Sequence, residues 1–224
     1  MIFQHRTPLL RRLKNVDMWL QQNKVTNLQI ATSCVDRIRL APGETFSYWR
    51  LIGNPTARRG FLPGLVLHNG ELKAEVGGGL CQLSNLIYWM TLHTPLTVVE
   101  RWRHNYDVFP DSNRVLPFGS GATCAYNYVD LQIRNETSGT FVLHVYLTDT
   151  ELVGEWRSDQ PSDRQYQVYE AAHEIVGEAW GGYTRHNLLR RRVLTQDGRQ
   201  TDDQFVTENH AVMMYQPLLG APQA

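Results

Sequence analysis

The chain has 224 residues, 42% apolar and 10% aromatic, with 22 basic side chains balanced by 22 acidic ones. That length buries a core without staples, and so many aromatic side chains exclude wholesale disorder. A formal charge of zero argues against a dedicated nucleic-acid binder, whose affinity rests on surplus Lys and Arg. Three cysteines, Cys34, Cys81 and Cys124, form an odd set without a CxxC pair, so neither a disulfide framework nor a thiolate metal site is expected. Nothing calls for a cofactor. No window approaches the ~18 consecutive apolar residues of a membrane span, and the first residues lack the apolar stretch of a secretory leader, so a cytoplasmic location is expected.

Pro8 after Thr7, with Leu9, Leu13, Val16 and Leu20 at helical spacing, predicts an N-terminal helix within residues 1–24 that stops near Asn23. Residues 28–40 read as one or two extended segments, and 45–49 as a strand after the turn Ala41-Pro42-Gly43-Glu44. The seven glycines between 52 and 79 predict a looped region of short strands, with a turn at His68-Asn69-Gly70-Glu71. Leu83, Leu86, Ile87 and Met90 then repeat at helical spacing and predict a central helix over 81–93, ended by Pro95. Residues 97–102 read as a strand, and 122–134 as a long strand turning at 135–139 into 140–147 as a hairpin. Short strands are expected at 165–170, 190–194 and 211–215. The reading is a single α+β domain: an N-terminal helix (1–24), a motif-bearing core (25–150) and a strand-rich extension (151–224). In it, the central apolar helix packs on a mostly antiparallel sheet.

Chemistry concentrates at Gly77-Gly78-Gly79-Leu80-Cys81. Glycines let backbone or ligand approach closely, and a helix N-terminus favours a thiolate and holds an oxyanion. Cys81 thus stands where a nucleophile would, His104 downstream would be its base, and Asp130 would orient the imidazole. Gly77, Gly78, Gly79, Gln82 and Ser84 would line an oxyanion or substrate site, and Arg101 would grip a carboxylate or phosphate. The order helix-borne Cys, strand His, neighbouring-strand Asp resembles papain-like and transglutaminase-like cores. The plainer reading is that Cys81 is a small buried hydrophobe and the glycines serve packing; Cys34 and Cys124 are read as core residues of strands. His173-Glu174 begins like HExxH but has no His four positions on, so no metal site is expected. Residues 77–79 lack the Lys and Ser/Thr of a phosphate loop, and Asn135-Glu136-Thr137 reads as a turn.

Several separated motifs in order, PGETFS (42–47), GGGLCQLS (77–84), VER (99–101) with His104, DVFPDSNRVLPFG (107–119) and YNYVDLQIRN (126–135), resemble the VanW family from about Asp17 onward. The resemblance implies a setting in glycopeptide resistance, where peptidoglycan precursors are rebuilt to end in D-Ala-D-lactate. It also implies cell-wall chemistry, since longer members carry a leader or anchor beside peptidoglycan-binding modules. Two departures stand out. Gly121 replaces the Asp that many members carry in a GxDATV-like stretch, leaving Asp130 to serve, and Trp102-Arg103-His104 holds one histidine where many members show two.

Two functions follow. In the first, the protein is a cysteine acyl-transferase or amidase on a peptide or peptidoglycan precursor, using Cys81, His104 and Asp130. In the second, it is a non-enzymatic accessory module that binds a cell-wall fragment, the antibiotic or another resistance protein, with Trp49, Trp102, Tyr126 and Tyr128 lining the surface.

Overall fold

The structure is a computed structural model and describes residues 1–11, 17–68, 70–108 and 115–217. In chain order its elements are β1 (Phe3–Pro8), α1 (Met18–Val35), β2 (Ile38–Leu40), β3 (Thr45–Ser47), α2 (Tyr48–Ile52) and a 3-10 turn at Ala57–Arg59. There follow β4 (Pro63–His68), β5 (Glu71–Val76), α3 (Cys81–Leu92), β6 (Thr97–Glu100), β7 (Tyr106–Asp107) and β8 (Gln132–Arg134). The last are β9 (Phe141–Leu147), β10 (Glu151–Ser158), β11 (Arg164–Gly177), β12 (Tyr183–Thr195) and β13 (Gln200–Met213). They form sheets β1-β10-β9-β2, β3-β8-β6, β4-β5 and β11-β12-β13-β7. Every pairing is antiparallel except β7 with β13. The fold is therefore α+β and mostly antiparallel.

The central helix forms where its apolar repeat places it. Leu83, Leu86, Ile87, Tyr88 and Met90 of α3 are buried, and each such side chain contributes about 1.5–3 kcal/mol. The helix lies against β10, where Gly154 makes room for it: a Cβ there would stand 2.6 Å from Met90 Cε. Trp156, fully buried on the same strand, donates its indole N–H to Thr91 Oγ1 at 3.1 Å, which satisfies a polar atom that burial would otherwise penalise.

Three expected elements are corrected. Residues 3–8 form β1, paired along its length with β10. The first helix starts at Met18 and runs twelve residues past Asn23, whose side chain donates to Pro63 O at 2.8 Å. Leu20, Lys24, Leu28, Ala31 and Val35 are among its buried positions. That 4-4-3-4 spacing is helical, so 28–35 is not extended. Leu13 and Val16 lie outside the described residues. The predicted hairpin of 122–134 with 140–147 is not formed either, because β8 pairs with β3 and β6 while β9 pairs with β10 and β2. The diversion is made by Asn135, fully buried, whose amide donates to Leu40 O and Gly139 O at 2.9 and 2.7 Å.

The C-terminal strands are longer than expected, with 14, 13 and 14 residues. Arg185 of β12 and Asp107 of β7, both buried, pair at 2.9 Å, and Tyr215 donates to the same carboxylate at 2.8 Å. This pins the segment after His104 to the C-terminal sheet. Among the described residues no helix is long and apolar enough to cross a membrane.

Candidate functional site

The glycine run is a docking turn between α1 and the β4-β5 hairpin. Gly77 and Gly79 have φ of 81° and 90°, a region that glycine enters without strain. Gly78 meets Gly64 backbone to backbone, and a Cβ on Gly78 would fall 2.1 Å from the Gly64 carbonyl carbon. A Cβ on Gly79 would fall 2.3 Å from Lys24 Cγ. The N–H groups of Gly77 and Gly78 donate to Leu62 O and Glu75 O, and Gly78 O accepts from Asn27 Nδ2 at 2.9 Å.

The other expected binding residues are also engaged within the protein. Gln82 donates to Thr7 Oγ1 and Pro8 O, both at 2.9 Å, and so anchors β1 to α3. Ser84, fully buried, donates to Ala122 O at 2.7 Å. Arg101 donates to Gly121 O at 2.9 Å, Gly119 O at 2.5 Å and Thr207 Oγ1 at 3.1 Å, clamping the 119–121 loop to β13.

Cys81 opens α3 and is half-buried. Burial pushes its thiol pKa up, and the backbone N–H groups of Cys124 and Cys81 offset this in part. The Cys124 thiol is also pushed up, by burial first and by Cys81 next. Tyr48, buried with its hydroxyl donating to Leu80 O at 2.9 Å, is raised well above the usual value. Burial leads there, and Cys124, Cys81, Asp130 and Cys34 add to it. Cys81, Cys124 and Asp130 therefore share one neighbourhood around Tyr48. Cys34, expected on a strand, lies in α1, where its thiol donates to Ile30 O at 3.4 Å.

Asp130 is committed to other partners. Its Oδ2 accepts from Ser47 Oγ at 2.5 Å, and its Oδ1 from the N–H groups of Trp49 and Leu131 at 3.0 and 2.9 Å. His104 sits half-buried across Thr123, whose Oγ1 accepts the His104 N–H at 3.1 Å. Its imidazole pKa is lowered by burial first and by Arg103 second. Asp130 thus braces the start of α2, and the His104 backbone is tied to Thr123, the residue before Cys124.

Sequence reasoning passed over Asn85 and Glu100. Asn85 Oδ1 accepts from Ala122 N at 2.8 Å and stands 2.5 Å from where a Cβ on Gly121 would be. A side chain at 121 would have to displace the Asn85 amide. Glu100 accepts from Trp102 Nε1 and Asp130 N at 3.0 Å and from Gln132 Nε2 at 2.8 Å.

Around these carboxylates lies an aromatic shelf. Trp102 is 54% exposed and Tyr128 87%. Trp49 meets Tyr126 edge to face at 5.7 Å and donates its indole N–H to Val129 O at 3.1 Å. Tyr126 and Tyr128 are carried on a turn closed by Ala125 O, with Asn127 at φ 65°.

A family model described as VanW like protein matches residues 23–157, more than half of the chain. The chain belongs to the VanW family. It is 33% identical to the Vancomycin B-type resistance protein VanW of Enterococcus faecalis over 215 residues, 96% of this chain and 78% of that protein. It is 28% identical to the Uncharacterized protein YoaR of Bacillus subtilis over 110 residues, 49% of this chain and 35% of that one. No solved structure matches, so the papain- or transglutaminase-like core gains no neighbour. The family model contains α3, the aromatic shelf and the residues around Tyr48, whereas β11–β13 lie beyond it.

Proposed function

We propose that this VanW-family protein is an accessory protein of glycopeptide resistance that acts in cell-wall precursor metabolism by binding a cytoplasmic peptidoglycan precursor on the shelf of Trp49, Trp102, Tyr126 and Tyr128. The likeness to the enterococcal resistance protein supports the setting. The exposure of Trp102 and Tyr128 supports the mode, since grouped exposed aromatics mark interaction surfaces. Hydrogen bonds at both indoles hold the shelf in place before a ligand arrives, which lowers the ordering cost of binding. The test is titration with a disaccharide-pentapeptide precursor, followed by tryptophan fluorescence. Saturable quenching that weakens in Trp102→Ala and Tyr128→Ala supports the proposal; no binding, or binding that both variants retain, removes it.

A second reading rests on the placement of Cys81 at the start of α3, whose N-terminus carries positive potential. Here Cys81 would attack a peptide carbonyl on the neighbouring shelf, His104 would accept and return the proton, and Asp130 would orient the ring. It requires Asp130 to leave Ser47. Full activity in a folded Cys81→Ala protein removes this reading.

A further inference from the structure

The antiparallel register of β12 and β13 sets His186 directly opposite His210. Residues so placed have Cβ atoms about 4.5–5.5 Å apart, close enough for two imidazoles to share one ion. The two rings lie at 72° with centroids 4.5 Å apart, and Nδ1 of one faces Nδ1 of the other in contact. The remaining ring nitrogens are each met by an oxygen. His186 Nε2 is 3.0 Å from Thr184 Oγ1, whose own proton goes to Glu178 Oε1 at 2.5 Å. His210 Nε2 is 3.3 Å from Glu208 Oε1. An acceptor at Nε2 holds the proton there, leaving Nδ1 of each neutral ring as a lone pair. Two lone pairs facing each other repel unless a shared proton or a metal cation lies between them. Glu174 stands opposite His186 on β11 and adds negative charge to the same cross-strand row.

We propose that His186 and His210 form a surface chelate for a borderline divalent transition-metal ion, of the Zn2+ or Cu2+ class. Imidazole suits such ions, whereas Mg2+ and Ca2+ prefer oxygen ligands. Glu208 and the Glu178–Thr184 relay act as the outer contacts that orient ligating histidines. The rings part slightly to admit the ion at metal–nitrogen distances of about 2.0–2.1 Å. Among the described residues no third His, Cys, Asp or Glu is grouped with the pair, so water completes the coordination. The bound ion links β12 to β13, on the sheet beyond the family model.

The test is Cu2+ titration of the full chain, read by electron paramagnetic resonance. One equivalent with two nitrogen ligands is expected. His186→Gln and His210→Gln should each leave one nitrogen and weaken binding. Glu208→Gln should keep both nitrogens and weaken binding about 10- to 100-fold. His173→Gln, on the neighbouring strand, should change neither. Zn2+ should also raise the melting temperature of the unaltered chain, because it binds the folded pair. A two-nitrogen signal that survives in both histidine variants, or a melting temperature that excess Zn2+ leaves unmoved, overturns the proposal.

Discussion

Ser47 donates its hydroxyl to Asp130 at 2.5 Å, and the same Ser47 Oγ accepts the Arg50 N–H at 3.2 Å as the N-cap of α2. One carboxylate thus ties the end of β3 to the approach to β8 and fixes the backbone of Trp49. Replacing Asp130 by Ala should lower stability by about 1–3 kcal/mol, because two part-buried N–H groups lose their acceptor. Asp130→Asn should cost less. Urea denaturation measures both, and unchanged stability would return Asp130 to a purely chemical role.

Gly78 and Gly64 leave no room for a side chain between their backbones. Gly78→Ala should cost about 3 kcal/mol as an overpacked contact. Gly177→Ala, whose Cβ would stand 3.7 Å from Tyr183, should cost less than about 1 kcal/mol. Equal midpoints for the two variants would mean that the glycine run is not a packing device.

Lys24 lies buried beside this run, its ammonium donating to Gln21 Oε1 at 2.9 Å, and burial followed by Arg11 lowers its pKa to about 8. Below pH 8 both folded and unfolded chains hold the proton. Between about 8 and the ordinary value of 10.5 the unfolded chain holds more, so stability contributed by this site rises with pH across that window. Lys24→Met should therefore stabilise the fold at pH 7 by about 1–3 kcal/mol. The gap from the unaltered protein should close as pH climbs from 8 to 10.5, and a gap independent of pH would contradict the assignment.

The central helix was legible because its apolar repeat and the glycines before it belong to one continuous segment. The fate of 3–8 and of 132–147 was not, because β1 forms against β10, some 150 residues away, and Asn135 turns the chain by bonding to Leu40 and Gly139. The site was legible by residue type only. Cys81 and Asp130 do share a neighbourhood, but nothing local in the sequence reveals that Ser47 holds the carboxylate. The aromatic residues were visible; that Trp102 and Tyr128 face solvent while Tyr48 is buried depends on tertiary packing.

Burial holds the Cys81 thiol above its ordinary range. With Cys34 and Cys124 changed to Ser, iodoacetamide should modify Cys81 at pH 7 more slowly than it modifies free cysteine. The rate should begin to titrate only above pH ~8.5, the ordinary thiol value. A rate plateau reached below that pH would mark an activated nucleophile and favour acyl transfer over binding.

The most direct measurement is the affinity of the disaccharide-pentapeptide precursor for the unaltered chain, for Trp102→Ala and Tyr128→Ala, and for Cys81→Ala. The proposed function predicts that each aromatic substitution costs at least about 1–2 kcal/mol, roughly five- to thirtyfold in Kd, while Cys81→Ala binds as the unaltered chain does. Undiminished binding in both aromatic variants, or no binding by the unaltered chain, would contradict it.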